Sequence, residues 1–109
     1  MKKFEYIQPE FFFCEIAIKN NSENDNRIWI YHRLSLSLIE FINVEVFDEF
    51  KFRGVQDRFE YLNENWFGVF VQDNCEITGN DSNIILKESW DYLEKFLKWE
   101  DNNANNNLN

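Results

Sequence analysis

The chain has little of what usually punctuates or activates a protein: three glycines, one proline, two cysteines and one histidine in 109 residues. Gly54, Gly68 and Gly79 are isolated, so no glycine-rich loop exists to cradle a phosphate. Cys14 and Cys75 lie in apolar surroundings and make no disulfide framework. They read as small buried hydrophobes in a reducing compartment, although spacing alone leaves a bond between them open. No Cys-x-x-Cys or His-x-x-x-His spacing occurs, so no metal site is expected. Any Ser-His-Asp or Cys-His mechanism would have to use His32. That residue falls in the apolar phase of a strand pattern and reads as a core or strand-end histidine with a local hydrogen bond. Carboxylates are plentiful, but an acid/base pair needs a cleft that drives two pKa values apart, which sequence does not display. An enzyme is not expected, and no cofactor.

Long apolar runs are missing too. Nothing is long enough to span a bilayer. The segment after Lys2 and Lys3 is broken by Glu5, Gln8, Pro9, Glu10 and Glu15, which does not suit a signal peptide. A cytoplasmic protein is expected. Positive charge is scarce: 11 Lys and Arg stand against 20 Asp and Glu, a net charge of -9. That balance disfavours nucleic acid and anionic membranes as direct partners. Residues 1–39 carry five acids and five bases, so the whole surplus lies after Leu38. A charge this one-sided suits a basic protein partner.

What the chain has is aromatic rings and alternation. Hydrophobic residues make up 44%, and 18% of residues are aromatic, including twelve Phe, four Trp and four Tyr. That is enough for one domain of this length to bury a core. From Ile28 every second residue to Phe52 is apolar except His32, Glu40 and Asp48. A period of two places such residues on one face of a sheet. One strand of that length is implausible, so bends are expected at the three polar interruptions, Asp48-Glu49 being the most turn-like. Leu34, Leu38, Phe41 and Ile42 also share a helical face, which makes a helix over 34–42 the rival reading.

Around this core the pattern predicts a strand over 2–8, another over Phe11 to Ile18, and a polar loop from Lys19 to Asn26 joining antiparallel strands. Val55, Phe59 and Leu62 suggest a short helix. Trp66 to Gln72 reads as a strand, turning at Asp73-Asn74 into a partner over Cys75 to Thr78. Ile84 to Lys87 reads as one more strand. Ser89 is the expected N-cap of a helix whose stripe is Trp90, Leu93 and Leu97. The fold class is therefore α+β: a single domain over 1–101, mainly an antiparallel sheet with a C-terminal amphipathic helix packed on it. Residues 102–109 are Asn-rich and expected to be a disordered tail.

The best candidate for function is a surface. Glu40, Glu45, Asp48, Glu49, Asp57, Glu60 and Glu64 fall within 25 residues, interleaved with Phe47, Tyr61 and Trp66. Clustered acids steer and pair with a basic protein, and exposed Tyr and Trp are good anchors. Charge alone is also what solubility requires; charge with rings favours binding. The expected partner-binding residues are Glu45, Asp48, Glu49, Asp57, Glu60, Tyr61, Glu64 and Trp66.

In its small size and acidity, its Trp66-to-Thr78 strand-turn-strand followed by the Ser89-to-Trp99 helix, and its Asn-rich, Gly-poor composition, the chain resembles the immunity proteins of bacterial contact-dependent and related polymorphic toxin systems. The resemblance implies a cytosolic antidote that binds a toxin domain, often a basic nuclease, and blocks its active site. It carries over no individual residue. The alternative is a phage-type inhibitor that mimics nucleic acid, such as an anti-CRISPR protein, with the same acids spaced like phosphates.

Overall fold

Inward and outward side chains alternate without a break from Arg27 to His32, and this strand anchors the architecture. The structure, a computed structural model, describes residues 11–19, 27–43 and 56–106. Five strands form one sheet: β1 (Cys14–Lys19), β2 (Arg27–His32), β3 (Ser37–Asn43), β4 (Gln56–Tyr61) and β5 (Glu64–Gln72). The spatial order is β1-β2-β3-β5-β4, and each neighbouring pair is antiparallel. A short helix, α1 (Cys75–Thr78), leads into α2 (Ser82–Asn106), which packs across one face. This is the expected α+β class.

Ile28, Ile30 and His32 of β2 point toward α2 and are fully buried. The alternation then changes phase. Residues 33–36 form a turn, closed by the Leu36 N–H donating to the Arg33 carbonyl at 3.2 Å, and His32 pairs with Ser37. Paired residues share a face, so a turn of four residues matches even numbers on β2 with odd numbers on β3. Ile39, Phe41 and Asn43 therefore face the helix, while Leu34 and Leu36 are exposed. A single even-numbered face through the whole stretch does not occur. Of the expected bends, His32 does end a strand. Glu40 does not: it lies within β3 on the outer face, ion-paired to Arg27 at 2.8 Å. The strand over 37–43 also excludes the rival helix. Asp48-Glu49 and the strand expected over 2–8 lie outside the described residues.

Five further expectations are corrected. Residues 56–61 form a strand, not a helix; only Phe59 and Tyr61 are buried there, and they alternate with exposed Arg58 and Glu60. Cys75 to Thr78 is helical rather than a returning strand. Asp73 accepts the Cys75 N–H at 2.9 Å, and Gly79, at φ 75°, closes α1 in the left-handed conformation that glycine adopts without a steric penalty. Finally, α2 begins at Ser82. Its cap is Asp81, whose Oδ1 accepts the N–H groups of Asn83 and Ile84 at 2.8 and 3.3 Å. Ser89 lies buried within the helix, and the expected strand over Ile84 to Lys87 is its first turns. Leu86, Trp90, Leu93 and Leu97 recur at i, i+4, i+7 and i+11 and face the sheet. The helix continues to Asn106, so residues 102–106 of the expected tail are helical.

The centre of the core is aromatic. The Phe41 ring lies 5.7 Å from both Phe59 and Trp90, and Phe59 stacks on Trp90 at 4.9 Å. Each large side chain buried this way contributes roughly 1.5–3 kcal/mol. Gly68 makes the close approach possible: Phe41 and Leu86 occupy the space its Cβ would fill.

Candidate functional site

The β4–β5 hairpin lies at the sheet edge and carries three of the acids expected at the binding surface, Asp57, Glu60 and Glu64. Its turn has two residues, Leu62 and Asn63, both at positive φ (47° and 68°). That is the left-handed pair of a type I′ turn, whose twist matches the flanking strands. The turn fixes the register: Tyr61 opposes Glu64, Phe59 opposes Trp66, and Asp57 opposes Gly68 on the helix face. Glu60 and Asn65 oppose each other on the outer face.

Asp57, Glu60 and Glu64 are exposed, as a binding surface requires. Tyr61 and Trp66 are buried and serve the core, so they are not the surface anchors expected. They point inward because the type I′ register puts them in phase with Phe59. Trp66 lies 6.5 Å from Trp90, and its indole N–H makes no hydrogen bond. Glu45, Asp48 and Glu49 lie outside the described residues.

The structure adds acids that sequence distance concealed. The Tyr61 hydroxyl donates to Asp101 Oδ2 at 3.3 Å, joining the hairpin to the last turns of α2. Burial first, then Asp101, Glu94 and Glu64, push the Tyr61 hydroxyl up to about 12. One carboxylate from α2, Asp101, thus meets the phenol directly. The signal available in sequence was the acid excess over residues 88–101, in which Asp101 stands forty positions from Tyr61. Bases offset part of it. Lys87 is paired with Asp91 at 2.9 Å, and Lys95 lies over the Phe11 ring at 5.4 Å. Arg58 donates to Asn65 Oδ1 and sits 6.0 Å from the Phe67 ring. Lys98 is the exposed base on the last turns. No Lys or Arg occurs between Arg58 and Lys87.

A second polar cluster, at the opposite end of the sheet, surrounds His32. The Ser35 N–H donates to His32 Nδ1 at 3.3 Å, which makes Nδ1 the acceptor and places the ring proton on Nε2. That proton is directed at Glu88 Oε1, 3.0 Å away. Cys14 is the cross-strand partner of His32. Burial first, then the Glu88 charge, push its thiol up to about 12. A neutral thiol is a poor nucleophile, and both imidazole nitrogens already have partners within the protein. The Ser89 hydroxyl is buried and makes no hydrogen bond, yet it stands near enough to Cys14 to favour the thiolate slightly against the larger cost of burial. Both cysteines are free and buried.

Among the described residues no group of three or more His, Cys, Asp or Glu side chains is disposed to hold a metal, and no helix is long and apolar enough to cross a membrane. Compared with models of protein families, with curated proteins and with solved structures, the chain gives no significant match.

Proposed function

We propose that the chain is a small acidic binding domain that neutralises a cognate basic protein toxin in the cytoplasm, most fittingly a nuclease domain, by covering its active site or substrate surface. The observation that carries this reading is the negative hairpin end. Asp57 and Glu64 on its helix side and Glu60 on its outer side are exposed, Asp101 joins Tyr61 from α2, and Arg58 is the hairpin's one base. A nuclease gathers phosphate with positive charge, so an acidic surface competes for the same cleft. Opposite charges also raise the rate of encounter, which an antidote needs. His32 and Cys14 are assigned structural roles.

The test is co-expression with the protein encoded by the adjacent gene, assayed for toxicity on its own. The wild-type chain restores growth, and the Glu60→Lys/Glu64→Lys double variant, folded by circular dichroism, loses protection. Protection undiminished by charge reversal, or a neighbour that is not toxic, contradicts the proposal.

A further inference from the structure

Exposed apolar side chains are concentrated at the end of the sheet opposite the hairpin turn. Among the described residues, Leu62 is the exception; Phe12, Leu34, Leu36, Val71, Ile77 and Ile84 all belong to the other end. There the β2–β3 turn is bound firmly to α1. Asn74 Nδ2 donates to the Leu36 carbonyl at 2.6 Å, Asn80 Nδ2 to the Leu34 carbonyl at 3.3 Å, and Thr78 Oγ1 to the Ser35 carbonyl at 3.5 Å. The Arg33 N–H donates to the Phe13 carbonyl at 2.7 Å, bringing the segment before β1 alongside.

These bonds hold the backbone in place while the side chains stand in water. Leu34 is 56% exposed, Leu36 50% and Ile77 84%. Leu36 also has φ 51°, a conformation that a branched side chain adopts at a cost. Glycine or asparagine would suit the turn better, and the leucine gains no core packing in return. Exposed apolar side chains gathered on one firmly bonded turn point outward, to a contact the isolated chain does not make.

Charge decides the kind of partner. Asp73, Glu76 and Asp81 are exposed around α1, while Arg33 is paired with Glu15 at 3.1 Å. In a two-fold dimer the same patch meets itself, and these acids would confront their own copies. A chain of net charge -9 is a poor self-partner through this end.

We infer that the β2–β3 turn and α1 form a docking surface for a protein segment with an apolar centre and a Lys/Arg rim, anchored by Leu34, Leu36 and Ile77. The inference rests on the reading of the chain as a binder of cationic protein and adds a second contact, at the end of the sheet away from the hairpin turn. Apolar anchors enclosed by charge are the usual arrangement of a binding hot spot.

The test is an amide NMR titration of the full chain with three synthetic helical peptides of equal length. One alternates leucine and lysine faces, one replaces its leucines with serine, and one replaces its lysines with glutamate. The leucine–lysine peptide binds at least about tenfold more tightly than the serine–lysine peptide, and it shifts the amides of residues 33–36 and 75–77. The Leu36→Ser/Ile77→Ser variant, in which only exposed side chains change, removes that difference. Equal binding of the two cationic peptides, shifts confined to residues 57–64, or equal binding of the glutamate peptide overturns the docking surface. Concentration-dependent shifts of 33–36 and 75–77 without peptide also overturn it, since the occupant is then a second copy. Binding of both cationic peptides at the hairpin alone, or no binding of either, removes this inference and leaves the proposed function to the co-expression test.

Discussion

Gly68→Ala probes how tightly the helix is laid on the sheet. A Cβ at this position would stand 2.7 Å from Phe41 Cε1, 3.1 Å from Phe41 Cδ1 and 3.0 Å from Leu86 Cδ1. Carbon atoms in contact prefer about 3.5–4.0 Å, so the overlap with the ring is close to ~1 Å. Phe41 cannot retreat freely, because Phe59 and Trp90 bracket it at 5.7 Å and all three are buried. Overpacking of this kind costs about 1–3 kcal/mol. Replacing glycine returns about 0.4–1 kcal/mol by restricting the unfolded chain. The net destabilisation is about 1–2 kcal/mol, which lowers Tm by about 5–15 °C in a domain of this size. Urea unfolding followed by tryptophan fluorescence reads the change as a lower midpoint at constant slope. Phe41→Leu in the same background relieves the clash and shows favourable coupling of at least about 0.5 kcal/mol in a double-mutant cycle. A neutral or stabilising Gly68→Ala, or strict additivity with Phe41→Leu, refutes this packing.

Leu62→Asn replaces a strained, 62%-exposed leucine by a residue that tolerates the left-handed conformation of the type I′ turn, and raises stability by about 0.5–1 kcal/mol; a loss in the same urea assay contradicts the turn geometry. Alkaline pH destabilises the fold in a defined direction. The Cys14 thiol and Tyr61 hydroxyl, ordinarily 9.0 and 10.0, are both pushed up to about 12 chiefly by burial. Between these values the folded chain holds protons that the unfolded chain has released, so stability present below about pH 9 is lost as pH rises toward 12. Denaturation midpoints measured across that range fall with pH, and Cys14→Ala with Tyr61→Phe flattens the slope; an unchanged slope in the double variant contradicts the assignment.

How much of this was legible depended on which contacts are local. Arg27 to His32 alternates cleanly because one face meets the helix, and its strand could be read directly. The phase change after His32 could not, since it follows from a turn made without glycine or proline. Edge strand β4 buries only Phe59 and Tyr61, and two inward residues do not outweigh the helical spacing of Val55, Phe59 and Leu62. The start of α2 was missed because Ile84, Ile85 and Leu86 run together like a buried strand, and Asp81 is less conspicuous as a cap than Ser89. At the site, the exposure of Asp57, Glu60 and Glu64 agreed with expectation. The burial of Tyr61 and Trp66 did not, because strand parity, not neighbouring charge, decides which way a ring points. Asp101 and Glu94 reach the hairpin only through tertiary packing, which no local window contains.

The most direct test of the central claim is the association rate of this chain with the protein encoded by the adjacent gene, the candidate toxin, followed by stopped-flow fluorescence as salt is raised. The acidic-surface account predicts a rate that falls by at least about tenfold between low and high ionic strength, and a Glu60→Lys/Glu64→Lys variant whose rate is slower and less dependent on salt. A rate indifferent to salt, or a variant that associates as fast as the wild type, would contradict it.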